Sequence, residues 1–232
     1  MPLHKRIYWS LLYLLKPVNG EMIFYRYGEK KKIYGVLSRI MHEKRVLAMF
    51  SELYELYVIV ERTRKVPGVL AEVGVSQGGS AKVICEVKGD SPLYLFDTFS
   101  GLPAPGTHDD LNTKFSDERF YAGQFACSED RVRAYLQQYT NVHYIAGVFP
   151  ASVQGVRNLP DAFSFVHLDM DLYEGTKQAL EWFYPRMHVG GVILVHDYFQ
   201  VKGVRKAVDE FFHAKPEVVM LGNCTNGMVV KL

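Results

Sequence analysis

From Pro67 onward the chain alternates short apolar runs with segments of helical spacing, and this alternation leaves few architectures open to it. "VLAEV", "LYLFD", "VHYIA", "FSFVHLD" and "GVILVHD" read as five strands, and "AKVICEV", "EDRVRAYLQQY", "TKQALEWFY" and "VRKAVDEFF" read as the helices between and after them. Strands that alternate with helices pair in parallel and are covered on both faces, which explains runs apolar at nearly every position. Two further runs, "EVVML" and "GMVVKL", flank the turn-rich "GNCTN" and predict a closing hairpin that adds an antiparallel strand. The expectation is an α/β fold with a mostly parallel seven-stranded sheet and a C-terminal β-hairpin.

The front of the chain has another character. "VLAMFSELYELYVIVERTRK" predicts one long helix with Phe50, Leu53, Tyr54 and Tyr57 on a face that must be buried against the body or a second subunit. Residues 1–65 are therefore expected to form a helical extension, and residues 66–232 the main domain. The extension carries 13 Lys and Arg against 6 Asp and Glu, so its net +7 faces −5 on the rest of the chain. A total of only +2, with no basic stripe interleaved with aromatics, argues against nucleic acid as a partner. The segment Arg6–Leu15 reads as an amphipathic helix. Its nine-residue apolar stretch cannot span a bilayer and no small-residue cleavage site follows, so no integral membrane span is expected. Cys85, Cys127 and Cys224 lack metal spacing and suit reduced thiols in a cytoplasmic protein.

At the end of the first strand, "LAEVGVSQGGSA" places Glu72 and Gly74 before a turn, with Gly78, Gly79 and Ser80 opening a helix. Glycines let backbone approach a ligand, and a helix N-terminus offers free N–H groups and positive dipole. The spacing is neither G-x-G-x-x-G nor a P-loop, so the turn is also readable as a plain strand-to-helix corner. Asp97, 25 residues after Glu72, ends the second strand, where an acid accepts both hydroxyl hydrogens of a ribose. Its alternative is a turn cap with Thr98. The two features together point to a bound nucleoside.

"FSFVHLDMDLYEG" ends a buried run in two acids, Asp169 and Asp171, and "GGVILVHDYF" ends another in His196 and Asp197. Buried carboxylates need partners. If the fourth and fifth strands are neighbours, Asp169 faces His196 and Asp197 across one crevice, and two carboxylates with an imidazole suit a divalent ion, Mg2+ or Mn2+. Asp171 stays on the side of Asp169 only if the extended conformation persists, and could then serve as general base. Read structurally, Asp169 contacts the cosubstrate, Asp171 caps the next helix, His196 is a buried hydrogen-bonded histidine and Asp197 a turn residue. His167 reads as structural. Residues 102–127, with His108, Asp109, Asp110 and "YAGQF", are too long for a plain connector and read as a lid or binding loop.

These motifs, with "FDTFSGLP", "AGVF", "HLDMDLYEGT", "YPRMHVGGVILVHDY" and "GVRKAVDEFF", resemble the macrocin O-methyltransferase family over residues 67–215. The resemblance implies a Rossmann-like class I methyltransferase fold, S-adenosylmethionine as cosubstrate, and methyl transfer to a hydroxyl, usually on a sugar. It implies that Glu72, Gly74, Val75, Gly79 and Ser80 lie at the methionine end of the donor. Asp97 would sit at the ribose with Thr98 and Phe99 beside it, and Gly147 and Phe149 near the adenine. It further implies a metal held by Asp169 and Asp197, a catalytic base at Asp171, and an N-terminal segment at the active site, often across the interface of a homodimer. His196 stands where characterised members carry an acid. That departure leaves open a metal site with one imidazole ligand or a metal-free enzyme with His196 as base, which could act on a non-sugar acceptor; against a non-catalytic nucleoside-binding subunit, a further alternative, stand the intact Glu72, Asp97, Asp169 and Asp171.

Overall fold

The computed structural model describes residues 28–109, 120–222 and 225–232, with side chains from Lys32 onward. The expected helix over Arg6–Leu15, Asp110 and Cys224 lie outside the described residues. Two helices lead, α1 (Gly28–His42) and α2 (Phe50–Thr63). Then follow β1 (Val69–Val73), α3 (Gly79–Val87), β2 (Leu93–Asp97), α4 (Glu129–Leu136), β3 (Val142–Ala146), β4 (Phe163–Leu168), α5 (Tyr173–Phe183), β5 (Met187–Val195), α6 (Lys202–Phe212), β6 (Met220–Leu221) and β7 (Gly227–Val230).

The sheet runs β3-β2-β1-β4-β5-β7-β6. The pairs among β1 to β5 are parallel, whereas β7 lies antiparallel between β5 and β6. This is the mostly parallel seven-stranded sheet with a closing hairpin that the sequence predicts, in the class I methyltransferase order. Strand order reverses between β1 and β4, and at such a point the carboxyl ends of the strands open a crevice.

Each face of the sheet carries its own core. On one, Leu37, Ile40, Leu53, Leu56 and Val60 of the leading helices pack with Val83 and Ile84 of α3 and Leu93, Leu95 and Phe165 of the sheet. On the other, Leu180, Phe183, Val204, Val208 and Phe212 of α5 and α6 cover Phe163, Val166 and Ile193. Fully burying such side chains contributes about 1.5–3 kcal/mol each, so α1 and α2 are bound into the body by several of them. The face expected to be buried is buried here: Leu53 and Tyr57 fully, Phe50 and Tyr54 in part. Cys85 and Cys127 are free and buried. No helix among the described residues is long and apolar enough to cross a membrane.

Several boundaries differ from the sequence reading, three of them in places where local contacts are informative. The second helix starts at Phe50, because the Glu52 carboxylate turns back to accept the Met49 N–H at 2.7 Å. β5 begins at Met187, since Met187 still pairs with Phe163 although Gly190 takes a positive φ of 82°. β6 is only two residues long, Met220–Leu221, and Glu217, expected to open it, lies outside the strand and binds Lys231.

Candidate active site

The turn after β1 is built around backbone that only glycine allows. Gly74 has φ 87°, and a Cβ there would lie 1.8 Å from the carbonyl oxygen of Asp169. The glycine turn and the end of β4 are thus in main-chain contact. Asp97 organises the same turn: its Oδ2 accepts from the N–H groups of Val75 and Ser76 at 2.6 and 2.9 Å, and Oδ1 from Phe99 N–H at 2.6 Å. A carboxylate offers about four lone-pair sites, so three backbone bonds leave room for one ribose hydroxyl rather than the two expected, and the Thr98 hydroxyl stands 3.5 Å from Oδ1. A cavity of about 1090 Å³ opens here, large enough for a nucleoside with an acceptor beside it.

Gly74, Val75, Gly79, Ser80, Asp97, Thr98, Gly147 and Phe149 all line this cavity, as do Asp169, Asp171, His196 and Asp197. Two expected donor residues do not. Glu72 is wholly buried behind the wall, where its Oε1 lies 2.8 Å from Nδ1 of His167 and burial pushes its carboxyl above the usual range. The ring of Phe99 packs on the helix-side core and only its N–H serves the site, through Asp97. His167, read as structural, is the buried partner of Glu72 and also touches the cavity. Both flanks of the long binding segment border it through Leu102, Asp109, Gln124 and Phe125. Asp109 also accepts the N–H of Tyr173 at 2.7 Å, capping α5 from outside the helix, while the His108 ring lies tilted against that of Tyr173, centroids 4.4 Å apart.

Parallel pairing of β4 with β5 sets Leu168 beside Val195, and the next residues on each strand are Asp169 and His196. Asp169 Oδ1 and Asp197 Oδ2 lie 3.1 and 3.3 Å from Nδ1 of His196. Glu52 Oε2 lies 3.5 Å from Nε2 on the opposite side of the ring. Neither ring nitrogen has a hydrogen-bond partner among the described residues, although both are buried. Burial works against the charged imidazole, but Asp169, then Asp197 and Glu52, raise His196 well above its ordinary value. Desolvation pulls Asp169 upward and His196 outweighs it, leaving Asp169 below the usual carboxylate range.

Asp171 does not continue the extended strand. Its φ is 60°, and the Leu172 N–H closes a tight turn on the Met170 carbonyl at 2.6 Å. A non-glycine residue held this way stores strain, a pattern concentrated at functional sites. The carboxylate still borders the cavity. Burial, then the charges of Asp169 and Asp197, push it well above the usual range.

One ligand atom from each of Asp169, His196 and Asp197 falls within 4.8 Å of the others. Cis ligands of an octahedral ion with bonds of about 2.1 Å lie about 3.0 Å apart, close to the separations around Nδ1. The orphaned imidazole nitrogen and this spacing fit a divalent ion. Sequence reasoning missed Glu52, which belongs to α2 and is 4% exposed. The signal was present: Glu52 shares the buried stripe of α2 with Leu56, Val60 and Thr63, and an acid on such a stripe requires a partner. Thr225 and Asn226, which also line the cavity, sit in a stretch read only as a turn.

A family model described as macrocin-O-methyltransferase (TylF) matches residues 38–219. The chain is 30% identical over 155 residues to the 8-demethyl-8-(2,3-dimethoxy-alpha-L-rhamnosyl)-tetracenomycin-C 4'-O-methyltransferase of Streptomyces olivaceus. It is 28% identical over 155 residues to demethyldecarbamoylnovobiocin O-methyltransferase of Streptomyces niveus. Each match covers 63% of this chain and 58% of the relative, so the chain spans less than two thirds of those curated relatives. The solved structure of the O-methyltransferase NovP shares the fold with a TM-score of 0.70 and 22% identity, over 87% of this chain and 97% of that one.

Proposed function

Because the chain belongs to the macrocin O-methyltransferase family, we propose that it transfers a methyl group from S-adenosylmethionine to a hydroxyl of a sugar or glycosylated small molecule. One observation carries the reading. The glycine turn with Asp97, and the acids Asp169, Asp171 and Asp197, open on a single cavity from adjacent strand ends. The name of the Streptomyces olivaceus relative describes O-methylation of a rhamnosyl-bearing compound, which supports a glycoside acceptor.

The backbone N–H groups at the start of α3 and the free valence of Asp97 hold the donor. Asp171 accepts the acceptor's hydroxyl proton as the oxygen displaces the methyl group from sulfur, and the C–S electron pair stays on the sulfur. Its raised proton affinity suits that task. His196 does not suit it, since its Nδ1 lies between Asp169 and Asp197 and its Nε2 faces Glu52, so neither nitrogen is left for the acceptor. A divalent ion bound by Asp169, His196 and Asp197 would supply Lewis-acid polarisation of the acceptor hydroxyl.

The test offers donor labelled in the methyl group together with nucleotide sugars, glycosides and a catechol. Label on a sugar hydroxyl is the expected result. Label only on the catechol, or calorimetric binding of NAD but not of the methyl donor, overturns the reading.

A further inference from the structure

We infer that His196, held from behind by Glu52, makes the ion site selective for a transition-metal dication over Mg2+; this rests on the metal reading above. The donor set provides the first ground. Mg2+ takes oxygen and water, whereas an imidazole ligand favours ions further along the first transition row. His196 Nδ1 points between Asp169 and Asp197 at 3.1 and 3.3 Å, so any ion shared by the two carboxylates meets nitrogen as well.

The second ground lies behind the ring. A metal-bound histidine commonly gives its other N–H to a carboxylate, which fixes the tautomer and strengthens the ligand. Glu52 stands at that place, its Oε2 3.5 Å from Nε2, an ion-pair distance from which a small shift of the ring makes the hydrogen bond. It is itself held by the Met49 N–H at 2.7 Å and by the Thr225 hydroxyl, and it is 4% exposed. With Nε2 facing Glu52, Nδ1 is the nitrogen left for the ion. Glu52 comes from α2 and Thr225 from the turn before β7, so two segments remote in sequence set one imidazole. Glu52 is a positioning residue, since it reaches the site only through His196.

The experiment titrates the full chain with Co2+ and with Mg2+ by calorimetry, following the Co2+ visible absorption bands as a signature of nitrogen ligation. Donor binding, measured in parallel, identifies each variant that is folded. Co2+ should bind about 100-fold more tightly than Mg2+. His196→Asp should lower that ratio at least about tenfold and alter the bands. Glu52→Gln should weaken Co2+ binding by about 10–100-fold. In the His196→Asp background it should change nothing, whereas a merely structural role for Glu52 would weaken binding in both. A Co2+ to Mg2+ ratio unchanged by His196→Asp, or a Glu52→Gln effect that persists without the imidazole, overturns the inference and leaves the metal reading standing. Failure of both ions to bind the donor-competent wild-type chain overturns the metal reading itself.

Discussion

Two carboxylate clusters in this molecule carry opposite charge accounts. Around Glu217 the account closes. Its carboxylate receives Lys231 Nζ at 2.6 Å, the Tyr184 hydroxyl at 2.8 Å and the Leu232 N–H at 3.3 Å. Around His196 it stays open, because Asp169, Asp197 and Glu52 all converge on a single imidazole, with Asp171 nearby. Partial exposure of Asp169 and Asp197 against the buried Glu217 does not by itself assign either cluster a role. The balance of charge does: a closed cluster fastens the fold, while an open one attracts a cation and tunes a base.

The strongest test of this contrast lies in the open cluster. Asp171→Asn should lower turnover by about 10²–10⁴-fold in a labelled-methyl assay while donor binding stays unchanged. Turnover within a few-fold of wild type would place the proton acceptor elsewhere. A middle case follows from Asp97, which is well bonded yet faces the cavity. Asp97→Ala should weaken donor binding by about 1.5–3 kcal/mol in calorimetry, the range for charged hydrogen bonds. Unchanged affinity would make Asp97 a turn fastener alone.

The smallest effect is expected at the closed cluster. Glu217→Gln should leave turnover intact and cost about 1–2 kcal/mol of stability in denaturant unfolding at neutral pH. Burial alone would raise Glu217, but Lys231 and Tyr184 lower it to about 2. A carboxyl lowered in the folded state stabilises it above the ordinary value near 4.5, and that share is lost as pH falls toward 2. The variant should therefore show a flatter acid limb between those values. A collapse of turnover in Glu217→Gln would erase the distinction between the clusters.

The sequence exposes this fold well where pattern and pairing agree. β1 and β2 fall on "VLAEV" and "LYLFD" residue for residue, because apolar runs bounded by turns leave one reading. The apolar run predicts β5 only from Gly191, whereas bonds with Lys231 and pairing of Met187 with Phe163 carry the strand back through Gly190. The site divides the same way. Asp169, His196 and Asp197 were legible because strand ends can be counted and neighbouring strands inferred. Glu52 was not, since its partner lies 144 positions away and only packing of α2 on the sheet brings them together. The conformation of Asp171 was hidden for another reason: a single reversed φ leaves no trace in residue pattern.

The place of β7 has a consequence for how the chain comes to be folded. β5 finds its second neighbour only in Gly227–Val230, more than thirty positions after its own last residue. During synthesis, β1 to β5 and their helices can assemble while the outer edge of β5 still presents Val192, Ile193, Leu194 and Val195 unpaired. An apolar, unpaired edge of that kind is a template for self-association, and non-local pairings form slowly. The interval before residues 227–230 emerge is thus the period of greatest aggregation risk, and a nascent chain halted there would depend on chaperones to stay soluble.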